Sequence, residues 1–239
     1  MSAPKVKITK AVSQKPGIPK GVQIGDFIVA RFTSSEWSRF FPWEEWDHVA
    51  MVSGLNPLKI IEASGIILQK ENKKDGKKEV REGVVEYEFK KQRIITRLDG
   101  SKNKNGNLWL LDNLMEAKWV RPVFPSPIRE IAAKKIPRNK RKIITGSEAR
   151  KRVVAYARNQ VGDPFKLSAS KNPKTSATKW DENEWYCSLL IFKAYSRTVT
   201  DMYLESYVPV PGYWVTPEDL VGSRRSAAYH HWQNKKYFK

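Results

Sequence analysis

The hydrophobic rhythm of this chain changes near its middle. In the first half, apolar residues come in short β-rich runs. Phe27-Ile28-Val29-Ala30-Arg31-Phe32, directly after Gly25-Asp26, has the continuous apolar character of a buried strand. Asp47-His48-Val49-Ala50-Met51-Val52 predicts the next strand, ended by Ser53-Gly54. Asn56-Pro57 is a turn pair that suits a hairpin, and Leu58-Lys59-Ile60-Ile61-Glu62-Ala63 is its returning arm. Gly65 to Leu68 is a candidate continuation of that arm. Val84 to Phe89 alternates apolar and acidic residues, as a half-exposed strand does. Lys118 to Phe124 reads as a further strand, stopped by Pro125 and Pro127.

The second half has helical spacing. Ser147 with Glu148 opens a pattern in which Ala149, Val153, Ala157 and Val161 share one face, and Gly162-Asp163-Pro164 stops it. A polar loop, 168–184, leads to Cys187, after which Leu190, Ile191, Ala194 and Tyr195 mark the face of a second helix. Thr216-Pro217 predicts a short helix start, with Thr216 as N-cap and Pro217 at the first helical position. The expected fold class is α+β, an antiparallel sheet packed against helices.

Residues 1–20 mix Lys, Pro, Ser and Gly without periodicity and are expected to form a basic flexible arm. Residues 21–239 are expected to form a single domain, with basic loop insertions near 70–82 and 99–107. The stretch 33–46 is too aromatic for a solvated loop. Its Trp43 and Trp46, with Trp185 ahead of the cysteine, are candidates for lining a substrate groove.

Composition narrows the function classes. One cysteine excludes an intramolecular disulfide and a cysteine-rich zinc site, and three histidines make a histidine-built metal centre a poor expectation. No metal or cofactor is therefore expected. Nowhere do eighteen apolar residues run together, and the basic N-terminus lacks a signal-peptide core, so a soluble cytoplasmic protein is the default. Lys and Arg number 44 against 25 Asp and Glu, a formal charge of +19. Such a field attracts nucleic acid, anionic membrane surfaces or acidic polymers without choosing among them. Much of the excess lies in two clusters, Lys70 to Lys78 and Lys134 to Lys142, and solvated loops would show the same pattern.

Cys187 carries the sharpest chemical signal. Trp185-Tyr186 precedes it and an apolar helix follows, so the thiol sits where unpaired backbone N–H groups and the helix dipole favour a thiolate. A lone cysteine also suits a core as a small hydrophobe, so the existence of partners decides. A cysteine nucleophile needs a base, and the base needs a group that fixes its tautomer. His48 starts an apolar strand straight after an aromatic loop, whereas His230 and His231 lie in a polar C-terminal stretch. Glu62 lies on the return arm of the His48 hairpin. A short antiparallel hairpin brings the start of one strand to the end of the other, hence His48 to Glu62. A carboxylate among Ile60, Ile61 and Ala63 is costly to bury unpaired, and an imidazole N–H is a suitable partner.

These blocks, taken in order, resemble the circularly permuted papain-like amidases of the YiiX type, relatives of the NlpC-type cell-wall peptidases and of lecithin–retinol acyltransferase. The resemblance runs through Gly25-Asp26-Phe27-Ile28, Asp47 to Val52 and Ile60-Ile61-Glu62-Ala63. It continues through Tyr156-Ala157-Arg158, Gly162-Asp163-Pro164-Phe165, Trp185-Tyr186-Cys187-Ser188, Ala194-Tyr195 and Val215 to Leu220, spanning roughly 22 to 222. It implies a permuted papain-like (NlpC-type) fold with Cys187 as nucleophile, His48 as base and Glu62 as orienter. Leu189 departs from the acidic residue that such sequences often carry after Cys-Ser. The oxyanion donor is expected to be the Cys187 backbone N–H, with Tyr186 and Ser188 as further near-site candidates.

The expected function is a papain-like cysteine hydrolase, an amidase, peptidase, lipid acyl hydrolase or acyltransferase, acting on an acyl, peptide or lipid substrate through a covalent acyl-enzyme. The alternative is a basic protein on an inactive version of this scaffold that binds nucleic acid or an anionic membrane. Phosphate neutralisation and aromatic stacking would serve the nucleic-acid version, although no helix-turn-helix, ribonucleoprotein or zinc-finger signature is present.

Overall fold

The computed structural model describes residues 15–33, 44–71, 78–91, 95–96, 102–103, 107–131, 136–165, 185–205 and 214–238. Most of the expected N-terminal arm, Trp43, the tip of the 70–82 insertion, most of 99–107 and the loop 168–184 lie outside the described residues.

Six strands form one antiparallel sheet: β1 (Phe27–Phe32), β2 (His48–Leu55), β3 (Leu58–Glu71), β4 (Lys78–Glu88), β7 (Leu114–Pro122) and β8 (Ser226–Gln233). Their order across the sheet is β4-β3-β2-β1-β7-β8. Two short strands, β5 (Ile95–Thr96) and β6 (Lys102–Asn103), pair separately. Among the described residues three α-helices follow: α1 (Gly146–Asn159), α2 (Cys187–Ser196) and α3 (Pro217–Gly222). The α+β expectation thus matches the observed layers.

Both faces of the central sheet are covered, which is why β1 and β2 carry nearly unbroken apolar runs instead of a clean alternation. Phe27, Val29, Val49, Met51, Ile61 and Ala63 pack against Ala149, Val153 and Ala157 of α1 and Leu190, Ile191 and Ala194 of α2. On the other face, Ile28, Ala30, Ala50, Val52 and Ile60 meet Tyr87, Phe89, Trp109 and Trp119.

Local chemistry fixes the helix starts. Thr145 caps α1 by accepting the Glu148 N–H at 3.1 Å, two residues before the expected opening at Ser147. Val161 falls beyond the end of that helix and is exposed. Thr216 and Asp219 form a reciprocal capping box on α3, with Pro217 at its first position.

The strand β8 was not expected from the sequence. As an edge strand it buries little of either face, so Ser226 to Gln233 shows no apolar period. It is tied in through Asp26, which is fully buried at the head of β1. That carboxylate accepts hydrogen bonds from the Arg121 guanidinium (2.8 and 3.1 Å), Arg150 (3.0 Å), the Tyr229 hydroxyl (3.0 Å) and the Gln23 backbone (3.0 Å). One carboxylate therefore joins β1, β7, α1 and β8.

Gly83 marks a close approach. A Cβ there would lie 2.4 Å from the Asp163 carbonyl oxygen, which accepts the Val84 N–H at 2.9 Å. The turn after α1 is thereby pressed onto β4, and Trp185 follows it through a hydrogen bond from its N–H to the Pro164 carbonyl at 3.2 Å.

Candidate active site

The hairpin of β2 and β3 sets the first relationship. Met51 pairs with Ile61 and Val52 with Ile60, which puts Glu62 level with Ala50. His48 then stands on the same face, one diagonal step away, at about 7–8 Å between backbones, within reach of long side chains. His48 Nε2 and Glu62 Oε2 are 2.9 Å apart, and both residues are buried.

Two further donors complete the carboxylate. The Tyr87 hydroxyl donates to Glu62 Oε1 at 2.6 Å, and the Trp109 indole N–H donates to Oε2 at 3.1 Å. A buried carboxylate with three donors is satisfied without water. Neither Tyr87 nor Trp109 was identified from sequence. Tyr87 sits on β4, where Ile60 is its partner and Val85 is the partner of Glu62, so it reaches Glu62 diagonally. Its signal was an aromatic on the apolar phase of Val84 to Phe89.

Trp109 is aimed by a short 3-10 turn, Leu108–Leu110. Asn107 caps that turn by accepting the Trp109 N–H at 3.0 Å, while its own amide donates to the Phe89 and Lys91 carbonyls at 2.8 and 3.0 Å. The Trp109 ring also lies 5.9 Å from the His48 ring, centre to centre.

Cys187 is the first residue of α2 and is buried. Tyr186 precedes it in extended conformation and provides no side-chain cap for the helix. The Tyr186 hydroxyl accepts the Val215 N–H at 3.0 Å, and Ser188 Oγ donates to the Val215 carbonyl at 2.7 Å. These two near-site candidates therefore grip one backbone unit and dock the start of α2 against the approach to α3.

Electrostatics link the three elements. Burial disfavours a charged His48 ring, but the Glu62 carboxylate and hydrogen bonding to Cys187 and Glu62 outweigh it, and the ring pKa is raised to about 10. Burial likewise works against a charged Glu62. The positive His48 and the three hydrogen bonds nevertheless hold its carboxyl below the ordinary range. With Nε2 engaged by Glu62, Nδ1 is the ring nitrogen left for the thiol.

The groove candidates fare differently. Trp46 and Trp185 are fully buried, so these two rings are core and do not line a groove. Trp185 donates its indole N–H to Asp163 Oδ2 at 2.9 Å, and Trp46 lies under the Lys118 ammonium, 4.6 Å from the ring centre. A sequence rich in aromatics looks the same whether the rings face a ligand or each other. His231 is exposed on β8, with Nε2 2.8 Å from Glu116 Oε2.

Among the described residues, no group of three or more His, Cys, Asp and Glu side chains could hold a metal ion. No described helix is long and apolar enough to cross a membrane.

No family model matches the chain, and no curated protein matches it. Among solved structures, it is similar to the crystal structure of metalloprotein yiiX from Escherichia coli O157:H7, described as DUF1105. That likeness has 13% sequence identity and a TM-score of 0.46, over 88% of this chain and 98% of that one.

Proposed function

We propose that this chain is a papain-like cysteine hydrolase or acyltransferase on a permuted NlpC-type scaffold. Cys187 Sγ attacks the carbonyl carbon of an amide, ester or thioester while its proton resides on His48. The tetrahedral oxyanion is met by the Cys187 backbone N–H at the start of α2. His48 then donates its proton to the leaving group, and the carbonyl re-forms as an acyl-thioester. Water or another acceptor, deprotonated by His48, attacks that thioester and releases Cys187. Glu62 holds the ring and balances its charge throughout.

The observation that carries this reading is the buried pair of His48 and Glu62 beside the first residue of an uncapped helix start. A core cysteine needs no raised histidine next to it, and a core histidine needs no three-donor carboxylate behind it. The test is alkylation of the intact protein by iodoacetamide near neutral pH, followed by mass spectrometry. Cys187 is expected to react faster than a free thiol, and Cys187→Ala is expected to abolish turnover of a panel of acyl esters, amides and thioesters. Ordinary thiol reactivity together with unchanged turnover in Cys187→Ala overturns the proposal.

A further inference from the structure

A second surface, remote from the thiol, combines charge with exposed aliphatic side chains. The segment Ile136-Pro137-Arg138-Asn139-Lys140-Arg141-Lys142-Ile143 carries four cations and no carboxylate between two isoleucines. Ile143 is 59% exposed, Ile136 41%, and Ile131 also 41%. Isolated exposed isoleucines are ordinary on a protein surface. These three are brought together by a defined backbone. Arg129 and Ile143 form an antiparallel bridge, flanked by hydrogen bonds from Glu130 N–H to the Lys142 carbonyl (3.1 Å) and from Ile144 N–H to the Ile128 carbonyl (3.0 Å).

The loop between them is held in shape. The Arg129 guanidinium donates to the Asn139 and Arg141 carbonyls at 3.4 and 3.2 Å. That of Arg141 donates to Thr200 Oγ1 at 3.0 Å and to the Ile136 carbonyl at 3.4 Å. Arg138 pairs with Asp201. Two residues further on, Tyr203 is 58% exposed, with its ring against Phe192. Lys140 is exposed beside the isoleucines, and Lys142, also exposed, has its ammonium 3.6 Å from Glu148 Oε1 in the first turn of α1.

We infer that this face docks on an anionic phospholipid bilayer. Cations beside aliphatic and tyrosine side chains match the two layers of that surface. Lysines reach the phosphate and carboxylate headgroups, and isoleucines enter the acyl boundary beneath them. A nucleic-acid surface would offer the lysines phosphates but would give three isoleucines nothing to stack on. The Ile131 N–H donates to the Thr198 carbonyl just beyond the C-terminal end of α2, and Cys187 stands at its N-terminal end. A ten-residue helix is about 15 Å long, so docking and the thiol occupy opposite ends of α2.

The test is flotation of the full chain with phosphatidylcholine vesicles, with and without phosphatidylserine, at low and high salt. Wild type is expected to float only with the anionic vesicles, and less at high salt. Lys140→Glu is expected to lower partitioning about fivefold or more. The double variant Ile136→Ser, Ile143→Ser, which changes no charge, is expected to lower it about tenfold. Both sites are exposed, so thermal midpoints are expected to match wild type.

Absence of flotation at low salt overturns the inference. So does flotation that survives the isoleucine substitutions, or a chain that retains DNA or RNA on a filter equally with and without those isoleucines. Alkylation of Cys187 is expected to be unchanged in these variants, which keeps the outcome separate from that of the proposed chemistry.

Discussion

Trp109 and His48 converge on the same oxygen of Glu62, at 3.1 and 2.9 Å, while Tyr87 takes the other oxygen at 2.6 Å. The carboxylate is thus held by groups from β2, β4 and the 3-10 turn, and its remaining freedom is small. Removing any one donor changes what His48 experiences.

Deleting the carboxylate leaves the His48 ring buried without its counter-charge. Glu62→Ala is expected to destabilise the fold by about 3–5 kcal/mol, the usual cost of breaking a buried pair from one side. Urea unfolding followed by tryptophan fluorescence measures this. The outcome does not depend on whether the chain is an enzyme.

Glu62→Gln keeps the shape and removes the charge. If the proposed chemistry holds, turnover on a responsive acyl substrate is expected to fall by about 10²- to 10⁴-fold. His48, followed by NMR titration of its ring protons, is expected to titrate well below its native value of about 10. A His48 titration unchanged by Glu62→Gln refutes the electrostatic account.

Tyr87→Phe and Trp109→Phe each remove one hydrogen bond to a charged group, a loss of about 1.5–3 kcal/mol. The Glu62 carboxyl is expected to titrate higher in both variants, because the donors that stabilise its anion are gone. Carbon-detected NMR of the Glu62 carboxyl would show it. Without such a rise, the two donors are packing groups only.

The pair also sets a pH window for stability. His48 titrates near 6.5 when unfolded and at about 10 when folded. Its contribution is therefore complete below about 6.5 and is lost as pH rises through about 10. Glu62 has the opposite sign. Its folded value lies below the ordinary 4.5, so its contribution is complete above 4.5 and is lost as pH falls through the folded value. The difference in urea midpoint between wild type and a His48→Gln, Glu62→Gln double variant is expected to be greatest between 4.5 and 6.5. A difference that is flat with pH contradicts the assignment.

Gly83→Ala drives a Cβ into the Asp163 carbonyl oxygen. Relief requires β4 and the turn after α1 to part, at a cost of about 1–3 kcal/mol. Asp163 also accepts from Trp185, two residues before Cys187. Slower Cys187 alkylation is therefore expected beside the lower thermal midpoint, whereas an exposed-site control such as Val161→Ala should change neither.

What could be read from sequence follows the physics of burial. β1, β2 and β3 were legible because covering on both faces demands unbroken apolar runs. The pairing of His48 with Glu62 was legible because a tight turn at Asn56-Pro57 fixes which ends meet. The edge strand β8 was not, since a strand half in water needs no pattern. Tyr87 and Trp109 were missed because their bonds to Glu62 depend on tertiary placement, which spacing along the chain does not encode. The roles of Trp46 and Trp185 were misjudged for a related reason: an indole satisfies a core and a groove equally well.

The hairpin that joins His48 to Glu62 closes over 14 residues, whereas Cys187 comes from far down the chain. Closing a loop about tenfold longer costs about 2 kcal/mol more in chain entropy. During synthesis from the N-terminus, the imidazole and its carboxylate can therefore meet long before the thiol exists. The sulfur joins them only when α2 docks on a sheet whose central strands are already made, and β8, the strand that closes the far edge, is made later still. A growing chain thus carries its thiol unpaired with His48 until α2 has been made and docked, an order of assembly set by the order of its segments.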